Sequence, residues 1–276
     1  MSTGREFSTP ATFEVRDLTV QLANDEPLCQ SLSFALQAGD CLAILGRNGA
    51  GKTTLLHQLS GITPTQRGSV WVNAHNLHQQ TPRQQAQWRG LLPQQVSGGM
   101  SEGLDCSVLE AALTGRHPFI NRWQQENEAD YQLGHAALTE VGLQGLESRR
   151  VNTLSGGERQ RLNLATLFVQ NAPIMLLDEP LAHLDLHHQI AVLESLQRRA
   201  QQGHIVIMVL HDPALACRYC SHTLLLYGND EISNVGIGNA EFGPISLVDA
   251  ARLSQLYGHP IQEIRSATNA RVFIPD

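Results

Sequence analysis

The chain has 276 residues, with 19 Lys and Arg against 26 Asp and Glu and a formal charge of −7, which excludes bulk attraction to nucleic acid as its organising chemistry. Five cysteines scattered at 29, 41, 106, 217 and 220 form no disulfide framework and read as reduced, cytoplasmic usage. The opening MSTGREFSTPATF lacks the apolar core of a signal peptide, and the best apolar run, IVIMVL at 205–210, has the length of a buried strand rather than the ~20 residues a membrane span needs, so a chain soluble by itself is expected.

FEVRDLTV at 13–20 alternates, and LSFAL near Leu32 does so again, which predicts antiparallel strands at a sheet edge. CLAIL at 41–45 is apolar without alternation, the pattern of a strand covered on both faces, and a helix is expected from Lys52 to Ser60. The continuous pattern returns in IMLLD at 174–178 and IVIMVLHD at 205–212, with a helical stretch from Leu186 to Gln202 between them. Strands separated by helices predict an α/β layered core.

Between about Val96 and Thr153 strong strand runs are missing, and two helix candidates, 107–114 and 126–141, flank the irregular GRHPFINRWQ. This region reads as a helical insertion. After Asn229, GNDEISNVGIGNAEFGP is rich in turn formers, and a short tail containing LVDAARLSQLYG ends the chain.

Gly46-Arg47-Asn48-Gly49-Ala50-Gly51-Lys52-Thr53 matches G-x-x-x-x-G-K-[ST] and lies between a predicted strand and a predicted helix. Glycines let backbone N–H groups turn inward around phosphate, and the helix N-terminus adds partial positive charge. Lys52 would reach the β- and γ-phosphates and the Thr53 hydroxyl would ligate Mg²⁺. Asp178, ending a buried strand, places a carboxylate at the sheet's carboxyl edge, where Mg²⁺ would sit, bound through water. Glu179 points elsewhere and is the candidate to orient or deprotonate an attacking water.

Neither motif names a family; Leu154-Ser155-Gly156-Gly157-Glu158-Arg159-Gln160-Arg161 does, since it resembles the signature of the ATP-binding-cassette family and Ser155 stands 23 residues before Asp178, as in that family. A Ser-Gly-Gly turn opening a helix is also an anion site in its own right. The resemblance covers nearly the whole chain. It implies a P-loop NTPase core of RecA-like α/β type, with an N-terminal antiparallel β subdomain and an inserted α-helical subdomain. The expected division is 1–93 for the β subdomain and phosphate-loop part, 94–153 for the helical subdomain, 154–240 for the signature, Walker B and switch part, and 241–276 for a tail.

The resemblance also assigns roles. Gln94, in RGLLPQQ, matches the glutamine loop that contacts Mg²⁺ and the attacking water, with Gln95 as the alternative register. Asp185, in EPLAHLD, matches the loop that crosses between two subunits, and His211, in VLHD, matches the switch histidine near the γ-phosphate, although a His after a strand is commonly a core residue. The implied nucleotide site comprises Gly46 to Thr53 with Thr54, and Ser155, Gly156, Gly157 and Asp185, binding ATP with Mg²⁺. It implies a head-to-tail homodimer in which each ATP lies between the phosphate loop of one chain and the signature of the other, docked on two transmembrane permease subunits at the cytoplasmic face of the membrane, with a substrate-binding protein acting indirectly.

TGRHPF followed by a Trp, LDLHHQIAVLESL at 184–196 and VLHDPALACRYCSHTLLL at 209–226 are similar to the family's importers of iron chelates, haem and cobalamin. An importer of another small solute is the nearest rival; a P-loop kinase or GTPase would lack the signature, and a cassette of DNA repair or translation usually carries a coiled coil or two cassettes. Phe119, Ile120 and Trp123 are candidates for the permease-facing surface of 94–123, with packing inside the insert as the other reading. His183, His187 and His188 include an i, i+4 pair but lack the zinc pattern, and Cys217 and Cys220 lack a redox context. One departure stands out: the family's adenine-stacking aromatic would fall near Leu22, and 17–33 contains no aromatic, which leaves aliphatic contact or Phe13 to cover the base.

Overall fold

The computed structural model describes residues 10–21, 27–94, 105–121, 123–228 and 240–276. Its strands are β1 (Thr12–Gln21), β2 (Pro27–Gln37), β3 (Cys41–Leu45), β4 (Arg67–Val72), β5 (His75–Asn76), β6 (Arg89–Leu92), β7 (Ile174–Leu177), β8 (Ile205–Val209), β9 (His222–Leu226), β10 (Ala240–Pro244), β11 (Ile261–Arg265) and β12 (Arg271–Pro275). Its helices are α1 (Lys52–Leu59), α2 (Pro82–Trp88), α3 (Val108–Leu113), α4 (Glu128–Glu140), α5 (Gly156–Gln170), α6 (Leu186–Gln201), α7 (Pro213–Tyr219) and α8 (Ala250–Tyr257).

The continuous apolar runs are central strands whose alternate side chains enter two different cores. From β3, Cys41, Ala43 and Leu45 enter one core while Leu42 and Ile44 enter the other. Met175 and Leu177 of β7 part from Ile174 and Leu176 in the same way, as do Val206 and Met208 of β8 from Ile205, Ile207 and Val209. Both faces are covered, so no polar residue interrupts the pattern. The sheet runs β10-β9-β3-β8-β7-β6, parallel from β9 through β6, with β10 antiparallel on β9.

The alternating segments pair antiparallel, as expected, with β2 at a sheet edge. They form a sheet of their own, in the order β2-β1-β4-β5, whose inward residues Phe13, Val15, Leu18, Phe34 and Leu36 share a core with Leu55 and Leu59 of α1. Alternation fixes only that one face is buried; here that face lies on the phosphate-loop helix instead of extending the parallel sheet.

The other face of the parallel sheet is covered from α3 to α8. Capping boxes start four of the helices: Thr81 with Gln84 at α2, Ser107 with Glu110 at α3, Asn127 with Asp130 at α4, and Ser155 with Glu158 at α5. Residues 240–276 hold more than a short tail: β10 joins the main sheet, α8 packs on the core through Leu253 and Leu256, and β11 and β12 form a hairpin against α7.

Candidate nucleotide site

β3 delivers the chain to Gly46, where a Cβ would stand 2.6 Å from the Leu226 carbonyl oxygen of β9, so no larger residue fits without movement. The loop then turns through left-handed backbone at Gly49 (φ 80°) and Gly51 (φ 83°). Gly51 is the N-cap of α1 and supplies no side-chain cap, so the first N–H groups of the helix are left for another acceptor. Lys52 is buried and folds back on the loop, its Nζ donating to the carbonyls of Gly46 and Arg47 at 2.8 Å each. Burial pushes its ammonium below the ordinary value, and the charges of Glu179 and Asp178 oppose that shift. Thr53 and Thr54 stand half-buried in the first turn of α1, Ala50 is buried, and Asn48 and Gly49 are exposed.

Sheet register brings the other candidates to the same edge. β6 pairs Leu92 with Leu177, β7 pairs Leu177 with Met208, and β3 pairs Ile44 with Val209. Gln94, Asp178, Glu179, His211 and Gly46 therefore all leave neighbouring strands at their carboxyl ends, where open α/β sheets bind ligands. The Asp178 N–H donates to the Leu92 carbonyl at 2.8 Å, which closes the sheet up to the point where Gln94 departs, exposed.

Asp178 is 1 % exposed, and neither of its carboxylate oxygens has a hydrogen-bond partner of normal geometry among the described residues. Burial raises its carboxyl above the ordinary value; the neighbouring Thr53 hydroxyl holds it back in part, and the Glu179 charge adds to the rise. A buried carboxylate with both oxygens free, beside a hydroxyl, is a hard-oxygen donor set of the kind that suits Mg²⁺. Glu179 takes a left-handed backbone conformation (φ 49°), which turns its side chain away from that of Asp178 toward His211, whose Nε2 lies 2.9 Å from Glu179 Oε1.

Ser155 to Gly157 belong to a second group. Ser155 is exposed and caps α5, its hydroxyl accepting from the Glu158 N–H at 3.2 Å while the Glu158 carboxylate accepts from the Ser155 N–H at 2.8 Å. A Cβ on Gly157 would stand 3.1 Å from the His183 carbonyl oxygen, so the signature turn adjoins the segment that leads to Asp185. Asp185 caps α6 and accepts from the His188 N–H and Nδ1 at 2.9 and 2.8 Å, which lowers its carboxyl below the ordinary value.

Comparison with known proteins decides the family. The ABC transporter family model matches residues 29–182, more than half of the chain. The chain belongs to the ABC transporter family. The cassette is 36% identical to a hemin import ATP-binding protein of Myxococcus xanthus over 92% of each chain. It is 34% identical to an achromobactin transport ATP-binding protein of Dickeya dadantii, over 88% of this chain and 86% of that one. A solved metal-chelate type ABC transporter, in an inward-facing conformation, superposes with a TM-score of 0.80 at 31% identity, covering 96% of this cassette and 98% of that chain. The cassette accordingly has the P-loop ATPase fold, binds ATP and is an ATPase.

Several expectations change in the folded cassette. Phe13 is fully buried and packs against Phe34 with centroids 6.3 Å apart, so it does not cover the base. Leu22, Gln95 and the turn-rich 229–239 lie outside the described residues. Phe119 is half-buried under the Arg116 guanidinium, 4.6 Å away, and Ile120 is half-buried, whereas Trp123 is 94% exposed. Cys220 contacts Cys41, Sγ to Sγ 3.5 Å, instead of Cys217, which lies 3.6 Å from an Arg271 nitrogen. Sequence reasoning missed Gln160, buried in α5, and Gln189 of α6, whose amides bind carbonyls of the loop after Glu179. A signal for Gln160 exists: it is the polar member of the stripe Gln160, Leu164, Leu167 and Phe168, spaced i, i+4, i+7, i+8 and all buried.

Proposed function

We propose that the chain powers uptake of an iron chelate, a siderophore complex or haem, as the ATP-hydrolysing subunit of an importer with separate membrane permeases. The observation that carries this reading is that relatives matching about nine-tenths of the chain are named for hemin and achromobactin transport. Cobalamin belongs to the same group of ligands in the sequence resemblance and is a further candidate.

In this reading the phosphates of ATP lie in the loop from Gly46 to Gly51, against the uncapped N-terminus of α1, and Lys52 exchanges its two loop carbonyls for phosphate oxygens. Arg47, Asn48, Ala50 and Thr54 complete the cradle. Thr53, Asp178 and Gln94 would hold Mg²⁺, which supplies charge neutralisation at the β- and γ-phosphates. Glu179 accepts the proton of the attacking water at its carboxylate, and His211, with Nε2 2.9 Å from Glu179 Oε1, keeps that carboxylate oriented and faces the γ-phosphate. Ser155, Gly156 and Gly157 bind the γ-phosphate of the nucleotide held by a second copy, head to tail, and Asp185 lies at the crossing between the copies. Support comes from the exposure of Ser155, Gly156 and Asp185, which leaves this turn accessible to a partner. Closure of the two copies is passed to two permease subunits at the cytoplasmic face, with 94–153 as the contacting part and a substrate-binding protein on the far side.

Deletion of the gene followed by growth with haem, ferric siderophores or cobalamin as sole source tests the substrate class. Loss of growth on one of the iron sources, restored by the wild-type gene and not by Lys52→Ala, is expected. Unimpaired growth on all three would overturn the substrate assignment and leave the ATPase intact.

A further inference from the structure

The loop that carries Glu179 is held by two side-chain amides from different helices, one half-buried and one buried. Gln189 Nε2 of α6 donates to the Leu184 carbonyl at 3.0 Å and the Leu181 carbonyl at 3.4 Å. From the opposite helix, Gln160 Nε2 of α5 donates to the Pro180 carbonyl at 3.0 Å, immediately after Glu179. Gln160 is 1% exposed, and its Oε1 has no partner among the described residues, so a polar side chain is kept inside an otherwise apolar stripe with only its donor used. Glu179 itself holds φ 49°, a conformation that a non-glycine residue keeps only where its surroundings impose it.

We propose that Gln160 is a positioning residue for Glu179 and couples the two ATP sites within a single chain. Gln160 lies one helical turn from Gly157, so the signature turn and the amide that grips Pro180 move as one rigid piece. The same turn also abuts the loop directly, through Gly157 against the His183 carbonyl. When Ser155, Gly156 and Gly157 engage the nucleotide held by the partner chain, the displacement of α5 acts on the Pro180 carbonyl and sets the carboxylate of Glu179, which serves the nucleotide of its own chain. ATP at one site thereby aligns the base at the other. This inference rests on the head-to-tail reading proposed above.

The test uses the full-length chain assembled with its membrane subunits and compares wild type with Gln160→Met, which keeps the volume and removes the donor, and with Gln160→Asn, whose amide is too short to reach. Because the substitution to Met also removes an unpartnered buried oxygen, its thermal midpoint should stay near that of wild type. The turnover number should fall roughly tenfold in both variants with KM for ATP little changed, as expected when a catalytic group is misplaced by a fraction of an ångström. The Hill coefficient for ATP should fall toward unity. A folded variant with unchanged turnover and cooperativity would overturn the proposal, as would a loss confined to thermal stability. Glu179→Gln in parallel separates the two readings: if it abolishes turnover while the Gln160 variants are normal, the coupling fails alone, and if it turns over normally, the assignment of Glu179 fails and the coupling with it.

Discussion

His211 Nε2 lies 2.9 Å from Glu179 Oε1, and the two residues leave neighbouring parallel strands, β8 and β7, at the same edge. Glu179→Gln keeps the shape and loses the proton acceptor, so ATP binding should persist while hydrolysis falls by roughly 10²–10⁴, about 2.7–5.5 kcal/mol of barrier. The closed dimer should accumulate with ATP. Phosphate release and size-exclusion chromatography check both outcomes, and near wild-type turnover would move the base role to His211 first.

Two-chain sites can be separated by mixing. In the proposed head-to-tail arrangement, Ser155→Arg would put bulk and charge where the partner's γ-phosphate docks, and it also removes an N-cap worth about 1 kcal/mol to α5, so circular dichroism must first show that the helix is retained. Alone, this variant should bind nucleotide through Lys52 and not close. Mixed with Lys52→Ala it should regain activity, since one site per mixed dimer keeps both halves. Mixed dimers that form and show no more activity than either parent would contradict the head-to-tail arrangement.

Gly46→Ala tests the close approach of the phosphate loop to β9. The new Cβ would be placed 2.6 Å from the Leu226 carbonyl oxygen, which is backbone and gives way only with its strand. Overpacking of this kind costs about 1–3 kcal/mol, and urea unfolding should register a loss in that range together with weaker ATP binding. An unchanged midpoint would mean that β3 and β9 shift easily at this edge.

Trp123 is almost wholly exposed, whereas Phe119 is tucked under Arg116, so these neighbours should respond differently to truncation. Trp123→Ala should leave the unfolding midpoint unchanged and reduce co-purification with the membrane partner. Phe119→Ala should lower stability by removing a partly buried ring and its cation–π contact, about 1 kcal/mol for the contact itself. Equal recovery of the complex with Trp123→Ala would remove this residue from the permease-facing surface.

With Phe13 buried, 14–33 holds no aromatic for adenine, and the next one along, Phe34, stacks on Phe242 with centroids 4.7 Å apart. Loss of a base–aromatic stack of about 1–3 kcal/mol weakens affinity by about 5- to 150-fold. ATP and GTP should therefore bind with similar, modest affinity, and Leu22→Tyr should strengthen ATP. Calorimetric titration of both nucleotides decides, since tight and strongly ATP-selective binding by the wild type would show that another residue supplies the platform.

The sequence by itself determined what depends on neighbours along the chain. Gly46 to Thr53 between a strand and a helix, the buried run ending in Asp178 and the Ser155 turn opening α5 are local patterns, because glycine conformations, helix starts and two-face burial are set within a few residues. Only the tertiary structure decided what depends on residues far apart. The alternating strands at 12–37 form a separate sheet because β4, some fifty residues later, supplies their partner: β1 pairs Phe13 with Val72. Gly46 is closed by Leu226, Glu179 is paired with His211, and Pro180 is gripped by Gln160. Phe119 and Trp123 look alike as exposed-loop aromatics until Arg116 is placed over one of them. Contacts of this kind leave no period or spacing in the sequence, since the geometry that makes them is fixed by sheet order and helix packing.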